Sequence, residues 1–213
     1  MLTLSQVQGQ DGTGLNIHDH LLIRESRYYM GVTPEHYEGS PYLNDTFLSG
    51  TVYTGSQKIP LPLRYNIVMD VMEFQHQRQT FLLDPDPRIL KIQVGDAVFV
   101  VDNVKGPAQK EFGFLELLGS GKFTLLAKKM VNYREKIVIS DVPAKYSRSP
   151  DQYYFRIDGG SLEKVTNINN LLDHLPEKKE EVQRFVKGGK LSLKNRDDLV
   201  KLTNFYNSLF TVN

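Results

Sequence analysis

Two histidines on either side of an aspartate, His18-Asp19-His20, come closest in this chain to metal chemistry. Two imidazoles and a carboxylate can share one divalent ion, and on a strand His18 and His20 project from the same side. A closed site needs a third or fourth ligand, and His36, His76 and His174 stand at no diagnostic spacing from the pair. The plainer reading is a pair of exposed histidines, so no metal is assigned and His18 and His20 stand only as candidate ligands. Carboxylates offer a second chemistry. Asp70, Glu73 and the Asp84-Pro85-Asp86-Pro87 run could supply the paired acids of a glycoside hydrolase, although aspartate before proline is more commonly a loop device. There is no Gly-x-Ser-x-Gly elbow, and Gly119-Ser120-Gly121-Lys122 lacks the spacer and ending of a phosphate loop, so it reads as a hairpin turn. The absence of cysteine excludes disulfides, thiolate zinc sites and a cysteine nucleophile. No catalytic residue is therefore assigned and no cofactor is expected.

The third feature is an interleaving of bases and aromatics from Lys122 to Arg148. Lys128, Lys129, Tyr133, Arg134, Lys136, Lys145, Tyr146 and Arg148 stand against Glu135 and Asp141. Such a face can hold a single-stranded nucleic acid, a polyanionic glycan or an acidic protein by charge attraction and stacking. The competing reading is a solvated sheet face whose lysines guard an edge. Lys128, Lys129, Tyr133, Arg134, Lys136 and Arg148 are taken as the candidate partner-binding residues. A formal net charge of +1 gives no bulk electrostatic reason to seek nucleic acid. Eleven tyrosines and no tryptophan suit half-buried strands and binding surfaces alike. Asn44-Asp45-Thr46 matches a glycosylation sequon, which matters only in a eukaryotic secretory pathway.

These residues must be positioned by a chain of 213 residues, enough for one sizeable core. Residues 11–41 are irregular, broken by glycine and proline, with a short strand expected at Leu21-Leu22-Ile23. From Tyr42 the pattern becomes short apolar segments separated by turns. Strands are expected over 50–54, 59–66, 67–75, 80–83, 89–94, 97–101, 112–118, 123–133 and 153–157. Pro60 and Pro62 place their strand at an edge, or themselves at its beginning, because proline cannot donate to a ladder. Beyond Asp158-Gly159-Gly160 the period turns helical. Asn169 is the expected cap of a helix through His174, Pro176 suits the first turn of the next, and Gly188-Gly189 closes it with a left-handed residue. Asn195 or Ser192 caps a last helix whose Leu199, Leu202, Phe205, Tyr206 and Leu209 share one face. The expected architecture is α+β: an antiparallel β-meander body over 42–160 and a helical segment over 161–213 packed on it.

The segments Tyr42-Leu-Asn-Asp45, Gly50-Thr-Val-Tyr53, Leu63-Arg-Tyr-Asn66, Asp70-Val-Met-Glu73, Phe114-Leu-Glu-Leu-Leu118 and Gly121-Lys-Phe123 resemble uncharacterised exported proteins of Bacteroidetes-type bacteria, as do Leu199-Val-Lys-Leu202 and Tyr206-Asn-Ser-Leu209. The resemblance implies export to the periplasm or surface, a β-meander and no assigned activity. Val7 and Gly9 also suit the −3 and −1 positions of a signal-peptidase site, so residues 1–10 read as the remnant of a signal peptide. No run approaches the roughly 20 apolar residues of a membrane span. The leading expectation is a non-catalytic, exported envelope module that binds a protein or glycan through its sheet face. The alternatives are a carbohydrate-active hydrolase using Asp70, Glu73 or Asp84, and a cytoplasmic nucleic-acid-binding protein using 122–148. Oligomeric state and strand order are left open.

Overall fold

The computed structural model describes residues 23–25, by backbone alone, together with 37–104, 111–137 and 142–210. The expected signal remnant and the His18-Asp19-His20 cluster lie outside the described residues, as does most of the 11–41 segment.

Among the described residues, twelve strands join in one sheet. They are β1 (Ile23–Glu25), β2 (Tyr37–Glu38), β3 (Leu48–Thr54), β4 (Lys58–Asn66), β5 (Val71–His76) and β6 (Gln79–Leu83), then β7 (Ile89–Val94), β8 (Ala97–Asp102), β9 (Gly113–Gly119), β10 (Phe123–Arg134), β11 (Ala144–Ile157) and β12 (Glu163–Lys164). Three helices follow: α1 (Ile168–His174), α2 (Lys179–Gly188) and α3 (Arg196–Ser208). The strand order is β1-β6-β5-β4-β3-β7-β8-β9-β10-β11-β12, antiparallel except where β2 pairs in parallel with β11. This is the expected α+β architecture, a strand-rich antiparallel sheet with helices near the C-terminus. The meander is in two runs, β3 to β6 and β7 to β12, which leave from opposite sides of the β3–β7 pair. The Asp84-Pro85-Asp86-Pro87 segment connects them. In a flat sheet β6 and β7 would stand about 19 Å apart, nearly the full reach of six Cα steps. Yet the connector ends in a turn in which the Ile89 N–H donates to the Asp86 carbonyl at 2.9 Å, so the sheet must bend for so short a segment to span it. Pro85 suits the extended start of the connector and Pro87 the second position of its turn. Asp86 stiffens it by accepting from the Arg88 backbone N–H at 2.9 Å and from its Nε at 2.8 Å.

Sequence alternation explains the strands. In β4 the side chains of Ile59, Leu61, Leu63 and Tyr65 are buried while Lys58, Pro60 and Pro62 are exposed. The strand lies inside the sheet, but its ladder to β5 begins only at Leu63, so both prolines fall in the half paired on one side alone. The β5–β6 turn uses Gln77 and Arg78 with φ of 47° and 63°, the doubly left-handed geometry that matches hairpin twist. Two segments depart from expectation. Residues 67–70 form a turn that ends at Asp70, with φ 52°, so β5 starts only at Val71. The last long strand is the fourteen-residue β11 rather than 153–157 alone; its first half is polar, which hid it from a search for apolar alternation.

The helices pack on one end of the sheet. Asn167, not Asn169, caps α1 by accepting from the Asn170 N–H at 3.0 Å. Asn195 caps α3 by accepting from the Asp198 N–H at 3.0 Å. Gly189 has φ −80°, and the left-handed residue after α2 is Lys190, with φ 50°. Pro176 precedes α2, which starts after a left-handed Lys178. Phe123, Leu125 and Phe155 from the sheet are buried with Leu171, Leu175, Val182, Leu199, Leu202 and Tyr206. Phe185 of α2 stacks on Phe205 of α3 at 3.9 Å. The β9–β10 turn owes its glycines to this docking. Asn207 accepts from the Phe123 N–H at 2.8 Å and donates to its carbonyl at 2.9 Å, and a Cβ on Gly121 would lie 2.6 Å from the Asn207 amide carbon.

The remaining core needs no helix. Val131 of β10 and Tyr146 of β11 share one buried cluster with Leu63 and Tyr65 of β4 and Phe74 of β5. β4 and β11 stand six places apart in the strand order, about 29 Å in a flat sheet, so the sheet must curl to bring them together. A tie crosses the opening. Tyr37 lies on β11 opposite Ala144, while Tyr42 bridges Asn66 at the end of β4, and the five steps between them span at most about 18 Å.

Because α3 presents Leu202, 1% exposed, to this sheet, Leu202→Ala is expected to cost about 2–5 kcal/mol in chemical denaturation. A loss below about 1 kcal/mol would show that the helix contributes little to the core.

Candidate functional site

The basic segment divides into an interior part and an exterior part. Lys128 is 1% exposed and Asp70 is 0% exposed; the lysine Nζ donates to Asp70 Oδ2 at 2.5 Å and to the Phe114 carbonyl at 3.0 Å. Lys129, its neighbour, projects to the other side of the strand and bridges Glu116 and Asp151, at 2.7 Å to each. The expectation that both lysines line a binding face is therefore corrected. Each lies under a cover, the β4–β5 turn on one side and the start of α3 on the other, and each neutralises carboxylates there.

The other four candidates gather at the far end of the β10–β11 hairpin. Tyr133 and Tyr146 are directly opposed in the ladder, with ring centroids 4.9 Å apart. Tyr37 meets Tyr146 edge-on at 5.1 Å. The row is exposed at both ends, Tyr133 by 44% and Tyr37 by 37%, over a nearly buried Tyr146. Burial, then the Tyr133 and Tyr37 phenols, push the Tyr146 hydroxyl up, so it stays neutral. Arg134, Lys136, Lys145 and Arg148 are all exposed at this end of the hairpin; Arg148 shares the face of the rings, whereas Arg134 and Lys145, opposed to one another in the ladder, project from the other face. Lys145 Nζ lies 3.0 Å from Glu38. Arg148 donates to the backbone carbonyls of Tyr42 and Leu43 and so holds the tie across the sheet opening. Arg134 reaches the Pro143 carbonyl at 3.4 Å, and Lys136 has no ion pair among the described residues. The hairpin end thus presents three tyrosine rings and Arg148 on one face and Arg134, Lys145 and Glu38 on the other, with Glu135 and Lys136 exposed beyond them. Sequence reasoning missed Tyr37 as a member because parallel pairing of β2 with β11 brings it from more than a hundred positions away.

The carboxylates proposed for hydrolysis are buried and largely held by cations. Glu73, 5% exposed, accepts from Arg64 Nε at 2.8 Å and from Asn66 Nδ2 at 3.0 Å. The same guanidinium stacks on Tyr42 and Phe47 at 3.8 and 4.5 Å. Burial in this cluster, reinforced by Glu73, pushes the Tyr42 phenol up to about 12 despite Arg64. Asp70 is occupied by Lys128, and Asp84 is 8% exposed. No group of three or more potential metal ligands occurs among the described residues.

One further cluster ties the helices to the sheet. Arg196, the first residue of α3, grips Glu116 with two bonds of 2.8 and 2.6 Å, and Lys129 adds a second cation at 2.7 Å. Burial alone would raise the Glu116 carboxyl, but hydrogen bonds from Arg196 and Lys129 outweigh it and hold the group below its usual range.

The chain matches no family model, no curated protein and no solved structure.

A carboxylate depressed in the folded state stabilises the fold above its unfolded pKa, and that stability is lost as pH falls through the folded pKa. Glu116→Gln is therefore expected to lower stability at neutral pH, with the gap to the natural chain closing on acidification below the usual value of 4.5. Denaturation midpoints across pH 7 to pH 3 check this; a pH-independent gap would show that the interaction is not ionic.

Proposed function

We propose that this chain is a non-catalytic, exported module of the cell envelope that binds an acidic glycan at the Tyr37–Tyr146–Tyr133 surface. The observation that carries the reading is that these packed rings and four exposed cations, Arg134, Lys136, Lys145 and Arg148, share one end of the β10–β11 hairpin, the rings with Arg148 on one face and Arg134 with Lys145 on the other. Flat tyrosine faces suit the apolar faces of sugar rings. The cations suit uronate or sulfate groups between the sugars, where guanidinium and ammonium make charge-assisted hydrogen bonds. The burial of Asp70, Glu73 and Asp84 favours a binding role over hydrolysis, since acids at a scissile bond must reach substrate. A formal net charge of +1 favours a glycan over nucleic acid, whose retention depends on many phosphate contacts. A protein partner would need about 800 Å² on this side with an apolar centre, and the patch is instead polar between its rings. The resemblance to exported envelope proteins is consistent with a glycan-rich setting, in the periplasm or outside the cell.

The test is retention on an immobilised sulfated glycosaminoglycan at low salt. The double variant Arg134→Glu/Lys136→Glu alters two exposed side chains and is expected to weaken binding about tenfold or more, with the melting temperature unchanged. Tyr133→Ala should weaken it further without abolishing charge-dependent capture. Equal retention of the natural chain and the charge-reversed variant would overturn the proposal, as would a preference for single-stranded DNA or for polyglutamate over the glycan.

A further inference from the structure

The buried Lys128–Asp70 pair has the layout of a reaction rather than of an ordinary ion pair. Asp70 sits at the end of the β4–β5 turn in a left-handed conformation, φ 52°. Its Oδ1 accepts from the Tyr65 hydroxyl at 2.6 Å and from the Phe114 N–H at 3.2 Å, while Oδ2 faces Lys128 Nζ at 2.5 Å. Tyr65 and Lys128 are each 1% exposed and Asp70 is 0% exposed. Space for the meeting comes from Gly113. A Cβ there would lie 2.7 Å from Lys128 Nζ and from the Val104 carbonyl, and 2.9 Å from Asp70 Oδ2.

We infer that Lys128 and Asp70 are the two halves of an intramolecular amide cross-link, formed when Nζ condenses with the Asp70 carboxyl and releases one water. For the amine to react, a proton first passes from the ammonium to Oδ2 along the 2.5 Å contact between them. The freed Nζ lone pair then adds to Cγ, forming the N–C bond. Negative charge develops on Oδ1, where Tyr65 and Phe114 already aim two donors. The Cγ–Oδ2 bond then breaks, and Oδ2 leaves as water with the proton it gained and a second from Nζ. No oxidant, reductant or co-reactant is consumed. The Tyr65 phenol is pushed up by burial and then by Asp70, so it remains a donor throughout. The remaining amide N–H keeps the Phe114 carbonyl as its acceptor. Fixed geometry supplies the effective concentration that an uncatalysed condensation in water lacks.

Such a bond joins residues 58 positions apart, linking the β4–β5 turn of the first meander to β10 of the second. In a chain without cysteine it would do the work of a disulfide that no redox change can open.

The experiment is intact-mass spectrometry of the full natural chain under denaturing conditions, followed by protease mapping. The expected result is a mass one water below that of the sequence, together with a branched peptide joining the segments that carry Asp70 and Lys128. Lys128→Arg should return to full mass. A natural chain at full sequence mass overturns the inference. So does a water loss with no branched peptide, the signature of a cyclised aspartate instead. Both readings come from the natural protein, so they stand even if the variant fails to fold.

Discussion

Everything in this molecule depends on the sheet covering its own inner face. Among the described residues the apolar rows of β3 to β9 have three helices for cover, and those sit at one end against β9, β10 and β11. An apolar sheet face left open to water forfeits roughly 25 cal/mol for each Å², so the strands curl until β10 and β11 meet β4 and β5 across the interior. The curl follows from the right-handed twist of strands and from bulges such as the register shift between Lys128 and Met130. The tie from β2 to Tyr42 and the grip of Arg148 on the Tyr42 and Leu43 carbonyls close the mouth. A surface arginine offered by the sequence for partner capture therefore also fastens the fold.

The curl also decides the fate of each charge. Along β10 the burial runs from covered at Phe123 to open at Arg134. Lys128 and Lys129 point to opposite faces of the strand, and at that height both faces are covered. Neither lysine can stay in water, so each is matched with carboxylates: Asp70 on one side, Glu116 and Asp151 on the other. Five residues further on, the strand has passed both covers, and Tyr133 and Arg134 return to solvent. Composition is the same along the segment; cover is what differs.

That contrast marks what was legible in the sequence. Strand and turn rhythm from 50 to 133 could be read because one face of each strand is buried, and period-two alternation records that directly. The fold class, the Gly119–Gly121 turn and the Asn195 cap followed from the same local rules. The first half of β11 was invisible, since its buried positions, Ala144 and Tyr146, stand among lysine, serine and arginine and give too short an apolar alternation to read. The break at 67–70 was hidden because Ile67 and Asp70 are buried in the turn just as Val71 is at the start of β5. The patch was half legible. Local clustering pointed to Tyr133, Arg134, Lys136 and Arg148, but no local pattern can report that Tyr37 arrives through a parallel pairing or that Lys128 faces Asp70 from 58 positions away.

The two charged regions therefore stand in opposite electrostatic regimes, and this separates their roles. At the hairpin end, cations in water interact weakly with nearby acids and are free to exchange Glu38 or a backbone carbonyl for a ligand's anionic groups at little cost. Inside, Lys128 and Asp70 have surrendered hydration and must recover it from one another. A buried pair that only holds the fold together is an expensive device, and apolar residues of the same volume commonly serve as well. What an apolar replacement cannot supply is the acceptor on which two further donors, the Tyr65 hydroxyl and the Phe114 N–H, converge. Those donors satisfy the lone pairs of Oδ1 in the buried carboxylate, and in the proposed condensation the same two donors meet the negative charge that gathers on Oδ1 when nitrogen bonds to Cγ.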